Sequence, residues 1–87
     1  MQPLCGREEF TAVLADIVTD TAPRLFAVVQ EYGDRVDGRV AAWGMAFEDH
    51  AEVISVEGHR RTRAPSPEHA LRAYRLGTGV IPLLMWP

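Results

Sequence analysis

Apolar residues near the start of the chain recur at helical spacing. They are Phe10, Val13, Leu14, Ile17 and Val18. Steps of three and four residues place these side chains on one stripe of a helix. Glu8 and Glu9 fall in the first turn, where the helix dipole favours acids, and Pro23 excludes helical geometry from the residue before it. The pattern predicts a helix over about residues 7–20.

Residues 24–32 (RLFAVVQEY) fit two kinds of element. Pro23 at a first helical position and Gly33 as a C-terminal stop would suit a second helix. However, apolar side chains alternate along the segment, and its β-branched and aromatic residues favour a strand. Turn-forming residues over 33–38 also favour a strand, because they would lead directly into a partner strand.

Residues 39–47 are predicted to form that partner strand. Its two faces differ in side-chain size. Trp43, Met45 and Phe47 share one face, whereas the other face carries Val40, Ala42 and Ala46. Because small side chains allow close approach, we expect a helix to pack on the second face.

A second hairpin is predicted from residues 51–63. Residues 51–56 and 59–63 would be strands joined by a two-residue turn at Glu57-Gly58. A tight turn pairs Ile54 with Arg61 and places Arg63 opposite Glu52. Since a run of arginines does not suit the centre of a sheet, the second strand is predicted to lie at an edge.

The end of the chain predicts a helix, which Gly77-Thr78-Gly79 would end, and a last strand. Ser66 can cap a helix that has Pro67 at its first position. Residues 80–86 (VIPLLMW) form an apolar strand in which Pro82 removes one backbone donor, so a bulge or an edge position follows. The chain is thus predicted to be a single α+β domain over residues 1–87. It has a largely antiparallel sheet of about five strands, two helices on one face, and the order α-β-β-β-β-α-β.

The segment WGMAFEDHAEV (residues 43–53), followed by Ser66-Pro67-Glu68 opening a helix, resembles small actinomycete proteins to which no activity is assigned. Every cation is arginine, which is typical of a GC-rich bacterial gene. The resemblance implies a bacterial origin and transfers no function to any residue.

Charge is unevenly distributed along the chain. Residues 1–58 carry eleven acids and four arginines, a net charge of −7, whereas residues 59–87 carry one acid and five arginines, a net charge of +4. The predicted partner-binding residues are Arg60, Arg61, Arg63, Arg72 and Arg75. A basic face favours an anionic partner. The alternative is that these arginines are solvated or paired with acids on neighbouring strands, which is common on protein surfaces.

The other residues that could act in catalysis or metal binding form no recognisable motif. His50, His59 and His69 are spaced by nine and ten residues, which matches no metal-ligand pattern. Glu48 and Asp49 are adjacent on a predicted turn and would point apart, and Cys5 has no neighbouring base in the sequence. We therefore predict no catalytic residue, no metal site, no cofactor and no enzymatic activity.

The final apolar run allows two interpretations. Leu84, Met85 and Trp86 either complete a buried strand or form an interface with a second copy.

The leading hypothesis is a small accessory or regulatory protein that binds another protein and forms a homodimer. Binding of nucleic acid or a phosphate ligand is the first alternative, and a small enzyme or ligand-binding domain is the second. With one cysteine and no apolar run of membrane-spanning length, the predicted location is cytoplasmic, away from the membrane.

Overall fold

A computed structural model describes residues 6–75 and 77–87 of the 87-residue chain. Its elements follow in chain order. They are α1 (Arg7–Thr21), β1 (Arg24–Tyr32), β2 (Asp37–Ala46), β3 (Ala51–Ser55), β4 (Arg61–Ala64), α2 (Pro67–Ala70) with a following 3-10 helix (Leu71–Tyr74), and β5 (Val80–Met85). The predicted α+β class and element order are confirmed.

All neighbouring strands are antiparallel, in the spatial order β4-β3-β2-β1-β5. The two strands predicted to avoid the centre of the sheet are its two edges. One is β4, which carries Arg61 and Arg63, and the other is β5, in which Pro82 pairs with Gln30. An edge strand has one side without strand partners, so it tolerates charge and a missing donor.

The ambiguous segment 24–32 forms a strand, β1. Its residues Phe26 and Val28 are fully buried. Phe26 pairs with Gly44 of β2, and a bulge follows between Val28 and Val29. A Cβ atom at Gly44 would lie 2.3–2.7 Å from three atoms of the Phe26 ring. The ring therefore occupies the space that a side chain at position 44 would need.

The β3–β4 hairpin has the predicted register, with Ile54 opposite Arg61 and Glu52 opposite Arg63. Its turn is longer than the predicted two residues and covers residues 56–59. Positive φ angles occur at Gly58 (81°) and also at His59 (53°). The extra left-handed residue after the glycine lengthens the turn without shifting the strand pairing.

The core lies between one face of the sheet and α2 with its 3-10 extension. It consists of Phe26, Val28, Ala42, Ala51, Val53, Ala64 and Ala70. Leu71, Tyr74 and Leu84 pack around this cluster. The Ser66 hydroxyl accepts a hydrogen bond from the His69 N–H (3.2 Å) and so caps α2 as predicted. Ala42 and Ala46 of β2 allow the close packing expected on this face. Val40 was predicted to share it, but the bulge between Val28 and Val29 places Val40 on the opposite face.

Gln30 is the polar residue buried in this layer, and it is 2% exposed. Its amide Nε2 donates to the backbone oxygen of Tyr74 (2.8 Å), while its Oε1 accepts from Tyr32 Oη (3.1 Å) and Arg39 Nε (3.1 Å). These bonds offset the cost of burying the amide and fasten the end of the 3-10 helix to β1.

The placement of α1 differs from the prediction that both helices share one face. No residue of α1 is buried, and no other described element packs along it. Ala22 ends the helix in an extended conformation (φ −62°, ψ 130°), and Pro23 follows. The radius of gyration is 18.2 Å, against about 12 Å expected for a compact chain of this length. Instead of covering the sheet, α1 projects from it.

Within residues 6–75 and 77–87, no helix has the length and apolar character needed to cross a membrane.

Candidate functional site

The sheet has one face that no described element covers, opposite α2. Its large apolar side chains are 38–55% exposed. They are Leu25, Val40, Trp43, Met45, Ile54, Ile81, Leu83 and Met85. We call this surface the open face. It follows from strand alternation, since successive side chains point to opposite sides and the alternate positions fill the core below α2.

The middle of the open face is a shallow depression of about 190 Å³. It is lined by Leu25, Trp43, Gly44, Met45, Glu52 and Ile54. The residues come from β1, β2 and β3, which are neighbours in the sheet. Since most of the lining is apolar, the depression suits an apolar side chain of another molecule better than a charged group.

Arginines lie along the β4 edge of the open face. Arg61 and Arg63 point to the same side as their partners Ile54 and Glu52. The Nε atom of Arg61 donates to Glu52 Oε2 at 3.1 Å. The Glu52 side chain is only 14% exposed, whereas that of Arg61 is 71% exposed. This pair satisfies the carboxylate, and Arg61, Arg63 and Glu52 together leave a net charge of +1 at this edge of the apolar surface.

The five predicted partner-binding arginines do not form one surface. Arg61 and Arg63 lie on the open face, because the alternate residues of β4, Thr62 and Ala64, point towards α2. Arg72 belongs to the 3-10 helix on the other side of the sheet, and Arg75 follows that helix. Arg60 precedes β4 at the end of the turn. Arginines that are close in the sequence therefore lie on different surfaces of the molecule.

The three predicted interface residues also separate. Leu84 is half-buried against the core, whereas Met85 points to the open face and is 55% exposed. The Trp86 ring lies 5.3 Å from the Phe26 ring, and the Arg24 guanidinium stacks 4.3 Å from the Trp86 ring centre. Leu84 and Trp86 therefore pack against the core at the end of β5, whereas Met85 belongs to the open face.

Comparison of the chain with protein-family models, curated proteins and solved structures finds no match. The resemblance to actinomycete proteins remains a prediction.

The His50 side chain, which is 20% exposed, is held in place by residues of the turn between β2 and β3. The His50 ring stacks on Phe47, with ring centres 4.7 Å apart and planes 6° from parallel. Its Nδ1 lies 2.7 Å from Asp49 Oδ1, and its Nε2 lies 3.8 Å from Glu52 Oε1. The hydrogen bond from His50 lowers the pKa of the Asp49 carboxyl below its ordinary value of 3.8. These contacts fix the turn between β2 and β3.

Among the described residues, no three His, Cys, Asp or Glu side chains come together in a group that could hold a metal ion. His59 lies in the β3–β4 turn and His69 in α2, and both are exposed. Cys5 lies outside the described residues.

Leu25, Ile54 and Leu83 were not among the binding residues predicted from the sequence. The available signal was the asymmetry of β2, where small side chains on one face predicted a packed helix. The larger Trp43 and Met45 then had to lie on the side away from that helix. Whether anything covered that side depended on the path of α1, which the sequence pattern did not determine.

Proposed function

We propose that this chain is a non-enzymatic accessory or regulatory protein of the cytoplasm that acts by binding another protein through its open face. The supporting observation is the set of large apolar side chains that stays exposed across the open face. Contiguous apolar surface with a charged margin is typical of protein-binding sites, because leaving it in water is unfavourable.

The shape and charge of the open face favour an amphipathic helix with acidic residues on one flank. The depression between Leu25, Trp43 and Ile54 is shallow, so it suits a row of side chains from a helix. Arg61 and Arg63 along one edge would attract acids on one side of that helix. Such one-sided charge fixes orientation and speeds association more than it adds affinity.

Nucleic-acid binding has weaker support. Arg61 is bonded to Glu52, Arg39 is bonded to Glu57 at 3.1 Å, and the chain carries a net charge of −3. Domains that bind nucleic acid through phosphate contacts are usually basic, and their binding falls steeply as salt increases. Salt dependence therefore separates the two functions.

The test begins with capture of partners by the tagged full-length chain from its own cells. Each partner identified by mass spectrometry is then purified, and its affinity is measured by isothermal titration calorimetry at two salt concentrations. The informative variant is Ile54→Asp, which places a charge in the middle of the open face. Val36→Asp is the matched control, because Val36 is 79% exposed in the β1–β2 turn, away from that face.

We expect Ile54→Asp to weaken the partner's binding at least tenfold and Val36→Asp to leave it unchanged. Both variants should keep the strand content of the parent in circular dichroism, because neither residue belongs to the buried core. Equal binding by both variants would contradict the proposal. Binding that survives Ile54→Asp but disappears at high salt would instead favour a nucleic-acid or phosphate ligand.

A further inference from the structure

A second apolar surface lies uncovered on the same chain, along α1. Its stripe residues are 46–66% exposed. They are Phe10, Val13, Leu14, Ile17 and Val18. A helix with such a stripe normally buries it against another element. The chain therefore carries both an uncovered helix stripe and an uncovered sheet face.

The two surfaces match in size. The 15 residues of α1 span about 22 Å at 1.5 Å per residue. The nine residues of β1 span about 30 Å, and five strands are about 19 Å wide. A helix of this length fits along the central strands, with its stripe over the depression lined by Leu25, Trp43 and Ile54.

The charges of the two surfaces are also complementary. Residues 7–21 carry four acids and one arginine, a net charge of −3. Glu9, Asp16 and Asp20 lie in one row beside the stripe, because seven and four residues are close to whole helical turns. The opposite flank carries Thr11, Ala15 and a single acid, Glu8, which lies seven residues before Ala15, so three of the four acids of α1 lie on one flank. On the open face, the arginines lie along the β4 edge, whereas the β5 edge is lined by Ile81, Leu83 and Met85.

The helix does not reach the open face of its own chain. Only Ala22 and Pro23 connect α1 to β1, and Ala22 is extended. Pro23 disfavours helical geometry at Ala22, so the connection is extended. Since α1 leaves the sheet along this connection, its stripe lies away from the open face of its own chain.

The exposed surface area has the size that such a contact requires. The chain exposes 6892 Å², whereas a compact monomer of 9.7 kDa exposes about 5,100 Å². The excess exposed area per chain is well above the roughly 800 Å² that each partner buries in a standard interface. It is comparable to the area that one subunit of an obligate homodimer buries.

We propose that α1 of one copy lies across the open face of a second copy, and that the second copy returns the same contact. The acidic row of Glu9, Asp16 and Asp20 lies along the β4 arginines of the partner. Because each copy gives a helix and receives one, the pair closes around a single two-fold axis and leaves no free contact. This inference rests on the proposed function, since it names the first protein helix that the open face binds.

Light scattering on the full chain gives the first test. We expect a mass twice that of one chain at tens of micromolar. Ile17→Asp on the stripe and Ile54→Asp on the open face should each weaken association at least tenfold. Ala12→Asp, on the back of α1, and Val36→Asp should leave the dimer intact. A monomeric parent, or a dimer that survives both stripe and open-face variants, overturns the inference.

Cross-linking identifies what covers the face. In a Cys5→Ser background, chains carrying only Leu14→Cys are mixed with chains carrying only Met45→Cys and treated with a short bismaleimide. We expect a covalent dimer in the mixture and little with either variant alone. Dimers of Leu14→Cys alone would show helix pairing with helix. Internal linkage in a chain with both cysteines, without dimers, would show the helix folded back on its own sheet. Either result overturns the inference.

Charge reversal tests the position of the acidic row. Asp16→Arg and Arg63→Glu should each weaken the homodimer at least threefold, because each places like charges together twice. Mixing the two variants should restore the parent affinity. In that heterodimer one contact has both charges reversed, whereas the other has neither changed. If the mixture does not regain the affinity of the parent, the proposed orientation of the helix is overturned.

The dimer and the proposed function can fail separately. Ile17→Asp changes the helix without touching the open face. If the parent is a monomer, yet Ile54→Asp abolishes partner binding, the inference fails and the function stands. If the reciprocal dimer forms, yet partner binding is the same with Ile54→Asp, the dimer stands and the open face is not the partner's site.

Discussion

The Phe26 ring packs directly against Gly44 in the core, and replacing Gly44 with alanine perturbs this contact. The new Cβ would lie 2.3 Å from the Phe26 Cζ atom and 2.7 Å from both Cε atoms. Phe26 is 0% exposed, so its ring has no solvent-facing position to move into. The substitution therefore forces a displacement within a fully packed layer.

The expected magnitude follows from overpacking, which typically costs about 1–3 kcal/mol. Unfolding entropy near 2.1 cal/mol/K per residue gives about 180 cal/mol/K for a chain of this length, so each kcal/mol lowers the melting temperature by about 5 °C. Gly44→Ala should therefore lower it by roughly 5–16 °C.

Gly38→Ala provides the control, because Gly38 lies in the same strand and its Cβ would come no closer than 3.5 Å to the nearest atom, the Gln30 backbone oxygen. Both substitutions restrict the unfolded chain equally, so the difference between them isolates the clash. Unfolding in urea gives both free energies, and one fixed protein concentration keeps any self-association from distorting the comparison.

Phe26→Leu removes the ring and should reduce the cost of Gly44→Ala by at least about 1 kcal/mol in a double-mutant cycle. Equal stability of Gly44→Ala and Gly38→Ala, or strict additivity with Phe26→Leu, would refute the β1–β2 register from which the argument starts.

Three further predictions concern turns and termini. Gly58→Val should destabilise the chain by at least about 1 kcal/mol, because Gly58 has a φ of 81°; a melting curve unchanged from the parent would exclude that backbone conformation. The folded pKa of Asp49 lies below its ordinary value of 3.8, so its stabilising contribution is present above that pH and is lost as the pH falls through the lower folded pKa. An NMR titration should show the Asp49 midpoint rising in His50→Gln, and an identical midpoint would contradict the hydrogen bond. Deleting residues 84–87 removes Leu84 and Trp86 from the Phe26 layer and should cost about 3 kcal/mol or more; a truncated chain that unfolds at the parent temperature would show that this layer is not structural.

Much of the fold was predictable because local signals agreed with the tertiary structure. Pro23 ended α1, the hairpin fixed the β3–β4 register, and Ser66-Pro67 began α2. The β-branched and aromatic content of residues 24–32 outweighed the helix signals, and the buried Phe26 and Val28 show why. Phe26 and Val28 are buried because β1 lies between β2 and β5 and beneath α2. A helix over residues 24–32 could not pair with those two strands.

The candidate site was less predictable, because it depends on which face each strand presents. The sequence grouped Arg61 with Arg72 by position along the chain, whereas the alternation of β4 and the path of α2 place them on opposite sides of the sheet. The stripe on α1 was visible, and its amphipathic character suggested packing on the nearest sheet. Periodicity identifies an apolar stripe but not which molecule covers it.

The exposure of α1 also makes the chain unequal in its local stability. An isolated helix of 15 residues is only marginally stable in water, because nucleation is costly and most helical stability in proteins comes from packing. The sheet has its own buried layer, so its backbone amides exchange with solvent slowly, whereas those of α1 are protected only as far as something covers the stripe. With the proposed dimer, helix content in the first quarter of the chain is expected to rise and fall with protein concentration while the sheet remains folded.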